Sequence, residues 1–100
     1  MQITLYDPAT DEIKGTYTRV FVPWKLLKAA IKLAKDLDTK NMTEETVDAL
    51  TGLVVEVFGN KFSAAELNEG ADVSEMLAVL NTIVARAGGA VQVNPPPPGN

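Results

Sequence analysis

The residues that could perform chemistry in this chain are carboxylates, lysines and two serines, because it contains neither histidine nor cysteine. Their absence removes the usual general base, the commonest metal ligand, thiolate nucleophiles and disulfides. Asp36-Leu37-Asp38 could begin a calcium loop, but Lys40 and Asn41 occupy places that such a loop gives to a ligand and a glycine. Ser63 and Ser74 stand where helices are predicted to begin. We therefore expect no catalytic activity, no metal site and no cofactor.

A lysine stripe is the most distinctive predicted surface feature. Spacings of three and four residues place its members on one side of a helix: Lys25, Lys28, Lys32 and Lys35. An acidic row lies on the next predicted helix: Glu45, Asp48 and Glu56. Such a stripe is most often a solvated face, and the alternative is docking on an acidic surface, within one molecule or between copies. Lysines without interleaved arginine or aromatic residues are a weak signal for nucleic acid, so no such partner is expected.

Length and composition indicate a single domain. One hundred residues can bury a core, and shares of 46% apolar and 22% charged residues are ordinary for a globular protein. The net charge of −4 is uneven, since residues 1–40 carry seven basic and five acidic groups, and residues 41–100 carry two and eight. Nothing approaches the roughly 18 consecutive apolar residues of a membrane span, and the N-terminus lacks the basic start of a signal peptide. We expect a cytoplasmic protein with no membrane contact.

The predicted fold is mainly α (α+β), with an N-terminal two-stranded β-hairpin. Ile3 and Leu5 alternate with polar residues up to the Asp7-Pro8 turn signal, and a second extended run covers residues 16–22. A lone hairpin is marginally stable, so it should pack on the helices that follow. We predict three main helices and one short helix in a single domain over residues 1–88. A flexible, disordered Gly/Pro-rich tail is expected over residues 89–100.

The first predicted helix has an unusually wide apolar face. Pro23 suits a first helical position, and residues 24–37 continue the helical pattern. The apolar residues form two rows that together cover about half of the circumference: Trp24, Leu27, Ile31 and Ala34 in one, and Leu26, Ala30, Leu33 and Leu37 in the other. An apolar surface of this width is more than the helix needs in order to pack against one hairpin and two other helices. Trp24, Phe58 and Phe62 are most simply core residues, and the alternative is a groove for a partner.

The later helices carry clear start and stop signals. Thr43 is the predicted N-cap of the second helix, which ends at Gly59-Asn60. Two capping boxes, Ser63 with Glu66 and Asp72 with Glu75, open a short helix and a last helix. Phe62 and Leu67 stand at the two positions of a hydrophobic staple. Gly70 should end the short helix, and Gly88-Gly89 the last one. Gly52 within the second helix either marks close approach of another backbone or is simply tolerated.

Two segments resemble a known family. The first is Val20-Phe21-Val22-Pro23-Trp24-Lys25-Leu26-Leu27-Lys28-Ala29-Ala30, after a short strand pair. The second is Val54-Val55-Glu56-Val57-Phe58-Gly59-Asn60-Lys61-Phe62-Ser63-Ala64-Ala65-Glu66-Leu67, followed by an acidic segment that contains Gly70. Both are similar to the tail assembly chaperones of siphophages and prophages of Gram-positive bacteria, of the lambda tail protein G type. The resemblance covers residues 1–88.

The resemblance implies a role in phage tail morphogenesis. Such chaperones bind the long, aggregation-prone tape measure protein and help recruit tail tube proteins, and they are absent from the mature virion. Many are extended by a translational frameshift, and this chain would correspond to the unextended form. We accordingly predict a partner-binding or self-association surface at Trp24, Leu27, Ile31 and Phe62 together with Lys25, Lys28, Lys32 and Lys35. The alternatives are a small cytosolic adaptor or regulator unrelated to phage, and a nucleic-acid-binding phage protein.

Overall fold

A computed structural model describes residues 1–39 and 42–91 of the chain. Its elements, in chain order, are strands β1 (Gln2–Tyr6) and β2 (Ile13–Thr18), a 3-10 turn (Trp24–Leu26), and helices α1 (Leu27–Thr39), α2 (Glu44–Val57), α3 (Ala64–Gly70) and α4 (Val73–Val91). The predicted fold class, a hairpin with three main helices and one short helix, is confirmed. Most of the predicted tail lies outside the described residues. Within the described part, no helix is both long enough and apolar enough to cross a membrane.

The hairpin is antiparallel, with Ile3 opposite Tyr17 and Leu5 opposite Gly15. Its second strand begins three residues earlier than predicted and ends at Thr18. The reason is local, because the Asp7 N–H donates to the Glu12 carbonyl at 2.7 Å and closes the turn sooner. Residues 20–22, which the β-branched composition placed in the strand, form a connection to the first helix instead.

The inner face of β1 lies in a core that all four helices share. Ile3 and Leu5 are buried there, in one cluster with side chains from every helix. The members of this core outside the hairpin are Leu26, Ala30, Leu33, Leu50, Leu53, Val54, Val57, Phe58, Phe62, Leu67, Val79, Leu80 and Ile83. The hairpin is therefore stabilised by burial against the helices, as a lone two-stranded sheet requires.

The predicted starts of α2 and α3 are confirmed. The Thr43 and Ser63 hydroxyls accept the backbone N–H groups of Thr46 and Glu66, at 3.3 and 3.1 Å. The Ser63 N–H in turn donates to the Glu66 carboxylate at 2.9 Å, which completes the capping box. Hydrogen bonding to Ser63 lowers the pKa of Glu66 below the ordinary glutamate value. The backbone N–H of Ser63 has the larger effect and its hydroxyl the smaller one.

The second predicted capping box forms only in part. Asp72 does cap α4, since its carboxylate accepts the Ser74 N–H at 2.9 Å. Glu75 does not reach back to the cap. Its carboxylate instead accepts the backbone N–H of Thr4 at 2.8 Å and the Thr4 hydroxyl at 3.4 Å. Thr4 is buried on the edge of β1 away from β2, where its N–H needs an acceptor, and this long-range requirement overrides the local pattern.

The Phe-Gly-Asn turn ends α2 as predicted. The N–H of Gly59 donates to the Glu56 carbonyl and that of Asn60 to the Val55 carbonyl, both at 3.0 Å. Gly59 and Asn60 adopt positive φ angles of 71° and 59°. This is the pair of bonds in a Schellman motif, and it satisfies carbonyls that the helix leaves unpaired.

The predicted end of α4 at Gly88-Gly89 is wrong, because the helix continues to Val91. A glycine in a helix costs about 1 kcal/mol relative to alanine, but unlike proline it keeps its N–H. The two glycines therefore weaken the helix without breaking it. The predicted boundary between domain and tail at residue 88 stays a prediction.

Candidate partner-binding groove

The two apolar rows of the first helix have different surroundings. Leu26, Ala30 and Leu33 are buried in the core. The side chain of Trp24, in the other row, is 84% exposed, and that of Ile31 is 45% exposed. The apolar face is thus wider than the domain itself covers, as its periodicity predicted. The core interpretation of Trp24 is wrong.

Two residues of the exposed row, Trp24 and Leu27, form one side of an apolar groove of about 440 Å³. The connection between β2 and the helix forms another side, where Val20 is 80% exposed and Phe21 is 54% exposed. Helix α4 completes the groove. We call this surface the Trp24 groove; it is lined by Val20, Phe21, Val22, Pro23, Trp24, Leu27, Ile83, Arg86 and Ala87.

Specific contacts hold the connection in place although its side chains are exposed. The Arg86 guanidinium donates to the Val20 carbonyl at 2.9 Å. The guanidinium carbon of Arg19 lies 4.3 Å from the centre of the Phe21 ring, a cation–π distance. Arg19 also packs on Gly59, where a Cβ atom would lie 2.7 Å from its Nη1. The Phe-Gly-Asn turn thereby supports the arginine that positions Phe21.

Phe62 does not belong to this surface. It is 5% exposed, and its ring centre lies 4.9 Å from that of Tyr17 in an edge-to-face pair and 5.8 Å from that of Phe58. These are the distances of aromatic pairs in a packed core. The core interpretation of Phe58 and Phe62 is confirmed. We therefore correct the predicted partner-binding set by leaving Phe62 out.

The lysine stripe lies next to the exposed row on the surface of the helix. Its four members are all exposed: Lys25, Lys28, Lys32 and Lys35. Lys32 and Glu45 line one open cavity of about 470 Å³ between α1 and α2. Lys32 of the lysine stripe and Glu45 of the acidic row thus line the same cavity within one molecule. Asp48 and Glu56 line two other cavities, and Lys32 lines neither of them.

A second apolar surface was not predicted. Met42, Val47 and Val73 are exposed beside a cavity of about 170 Å³, where the starts of α2 and α4 meet α3. We call these three residues the Met42 patch. Helical spacing puts Val47 in line with Leu50 and Val54, and Val73 in line with Met76 and Leu80, and nothing in that spacing indicates that tertiary packing leaves both uncovered.

These features are typical of a small protein-binding module. The Trp24 groove offers apolar contacts with one guanidinium, and large exposed aromatic side chains are common at protein interfaces. Among the described residues, no group of three or more potential ligands could hold a metal ion.

A family model described as phage tail chaperone protein matches residues 1–95, and the chain belongs to that family. No curated protein and no solved structure matches the chain. The predicted resemblance to phage tail assembly chaperones is therefore confirmed as a family relationship. Membership supports a role in phage tail assembly and favours it over an adaptor unrelated to phage.

Proposed function

We propose that this chaperone binds the tape measure protein in the Trp24 groove and helps recruit tail tube proteins during tail morphogenesis. The observation that carries the proposal is the exposure of Trp24, at 84%, in a groove whose connecting segment is held by one hydrogen bond and a cation–π contact. A long tape measure helix needs its apolar stripe covered before the tail tube surrounds it. Helix-in-groove contact covers such a stripe without chemistry.

The energetics favour a groove over a single anchoring residue. Burial of one large aromatic side chain covers roughly 150–250 Å², a gross gain of about 4–6 kcal/mol. Lost translational and rotational freedom on association offsets an amount of that order or more. A stable complex therefore needs further apolar contacts, which Phe21 and Leu27 in the groove and the exposed Ile31 four residues beyond Leu27 are placed to provide.

The proposal includes where the protein acts. A chaperone that covers the tape measure helix has to leave when tube subunits replace it, so we place its action in the host cytoplasm and expect none in the mature virion. We further propose that it acts without catalysis, by contact alone. Mass spectrometry should detect the chain in infected cells and not in purified virions. Stoichiometric recovery from virions would contradict this part of the proposal.

The test is co-purification with the tape measure protein. Replacing Trp24 and Ile31 together by aspartate puts two charges in the exposed apolar row, and we expect the tape measure protein to be lost from the pull-down. Both side chains are exposed, so the fold should persist, and circular dichroism checks this.

Ile13→Asp is the matched control, because Ile13 is 63% exposed but lies on β2, outside the groove. This variant should bind as the unmodified chain does. Retained binding by the Trp24 and Ile31 double variant would overturn the assignment of the groove.

A further inference from the structure

We propose that the Trp24 groove is a polyproline-binding site and that the chain's own Pro95-Pro96-Pro97-Pro98 segment occupies it. The segment covers the exposed aromatic surface until a tape measure helix displaces it. This inference rests on the proposed function in one respect, because both occupants use the same groove. Occupancy by the tail does not itself require the tape measure protein, so the two can be tested apart.

The groove has the aromatic surface that polyproline ligands need. Phe21 and Trp24 are both exposed, and Pro23 lines the groove between them. Polyproline segments dock on aromatic-lined grooves because their rings are apolar and their backbone is already extended before binding, so little chain entropy is lost. Arg19 lies over the Phe21 ring and Arg86 bonds to the same connection, so the aromatic surface is held in place.

The hydrogen-bonding groups of the groove and of the segment also match. Proline has no backbone N–H, so four consecutive prolines offer only carbonyl oxygens, and a polyproline helix gives these no internal partner. The residues that line the groove supply donors, namely the indole N–H of Trp24 and the guanidinium of Arg86. Arg86 donates to the Val20 carbonyl, and its guanidinium carries further N–H groups.

The place where the tail leaves α4 is close to the groove. Ala87 lines the groove, and the helix ends at Val91, four residues or about 6 Å further on. The four chain steps from Val91 to Pro95 span up to about 14 Å when extended, so Pro95 can return to the level of Ala87. The four prolines then cover about 12 Å along the groove.

The Met42 patch does not suit the same segment. Val73 begins α4, eighteen residues before Val91, so it lies about 27 Å from the end of the helix and beyond the reach of Pro95. The patch has no aromatic ring, and its neighbours Glu44 and Asp48 carry carboxylates, which accept hydrogen bonds and cannot pair with proline carbonyls. Distance and chemistry therefore both direct the prolines to the groove.

The composition of the tail is that of a temporary occupant. Residues 87–100 contain no charged side chain to pair with the cations exposed around the groove: Lys25, Lys28 and Arg86. Attachment to α4 holds the tail near the groove at an effective concentration of about 1 mM. A partner with a longer apolar stripe, or with carboxylates opposite these cations, therefore displaces it.

Fluorescence of Trp24, the one tryptophan of the chain, measures the occupancy. Replacing all four prolines by serine in the full chain keeps the length of the tail. We expect acrylamide to quench this variant about twofold more strongly, because a docked segment covers one of the two faces of the indole ring. Replacing Gln92 and Asn94 by serine is the matched control and should leave quenching unchanged. Equal quenching of the unmodified chain and the four-serine variant would overturn the proposal.

Dilution and a peptide show where the contact is made. A contact within one chain does not depend on concentration, so the difference in quenching should persist over about hundredfold dilution. A synthetic peptide of residues 91–100, added to the four-serine variant, should restore the protection of Trp24 at about millimolar concentration. Loss of the difference on dilution, or a peptide without effect, would count against occupancy of the groove by the chain's own tail.

The four-serine variant also separates this inference from the proposed function. Because its groove is open, it should bind the tape measure protein up to about tenfold more tightly. Changed quenching with unaltered binding would defeat only the assignment of the tape measure protein to the groove. Binding that depends on Trp24, without any difference in quenching, would defeat only the contact with the tail.

Discussion

Two regions of this molecule use their apolar residues in opposite ways. Where the hairpin meets α3 and α4, close contacts are internal: Phe62 packs on Tyr17, and Glu75 accepts hydrogen bonds from Thr4. Around the groove, Trp24 and Val20 remain at least 80% exposed. The first region is completed by the chain itself, and we propose that the second is completed by partners.

The comparison shows that an aromatic residue on a predicted apolar face can lie either in the core or at the surface. Trp24 and Phe62 both follow helical or staple patterns, yet one is at the surface and the other in the core. Because Phe62 lies in the core and Trp24 at the surface, stability and binding should be separable by mutation of these two residues.

The largest expected effect comes from the two aromatic residues. Phe62→Ala should lower the free energy of unfolding by about 3–5 kcal/mol, because it opens a cavity in the core. Trp24→Ala, the matched change at the surface, should alter it by no more than about 0.5 kcal/mol. Urea unfolding of both variants measures the difference. Equal losses of unfolding free energy in the two variants would contradict the assignment of Phe62 to the core and Trp24 to the surface.

A pair of glycines gives the next contrast. A Cβ atom at Gly70 would lie 2.7 Å from the Tyr6 carbonyl oxygen, a backbone atom that cannot move away cheaply. Gly70→Ala should therefore destabilise the protein by about 1–3 kcal/mol. At Gly52, mid-helix and exposed, a Cβ would meet nothing within 4 Å of it. Gly52→Ala should stabilise the protein by about 1 kcal/mol. Thermal unfolding measures both variants. A raised melting temperature for Gly70→Ala, or a lowered one for Gly52→Ala, would contradict this packing.

The hydrogen bonds of Glu75 predict a smaller loss. Glu75→Ala leaves the buried Thr4 N–H without its acceptor, at a cost of about 1–2 kcal/mol. Glu75→Gln keeps an oxygen there and should cost less. Hydrogen exchange at the Thr4 amide should accelerate most in the alanine variant. A protected Thr4 amide in that variant would show that Glu75 is not its partner.

The smallest expected effect is a change in the pKa of Glu66 at the start of α3. Because the pKa of Glu66 is lowered in the fold, its capping bonds stabilise the protein above the ordinary glutamate pKa and are lost as pH falls through the lowered value. Ser63→Ala should raise the pKa of Glu66 toward its ordinary value, as followed by NMR. Ser74→Ala, a change to the other serine, should leave it in place. An unaltered Glu66 titration in the Ser63 variant would show that the Ser63 hydroxyl does not contribute to the lowered pKa.

Sequence reasoning succeeded where a signal and its partner are close along the chain. The caps at Thr43 and Ser63 bond to residues three positions away, and the Gly59-Asn60 stop bonds to carbonyls three and five positions back. Such bonds depend on backbone geometry that few residues determine, so the pattern predicted them. The two rows of the first helix were likewise predictable, because helical periodicity alone places residues on a face.

Tertiary structure decided what each face and each carboxylate meets. Glu75 stands in a capping-box position, but Thr4, 71 residues away, is its partner because the buried edge of β1 needs an acceptor there. Helical periodicity placed Leu33 and Ile31 on one apolar surface, and only packing against α2 and α4 covered the first and left the second exposed. The sequence by itself determined where the helices begin and which residues share a face. The space left between packed elements determined which apolar residues remain for a partner.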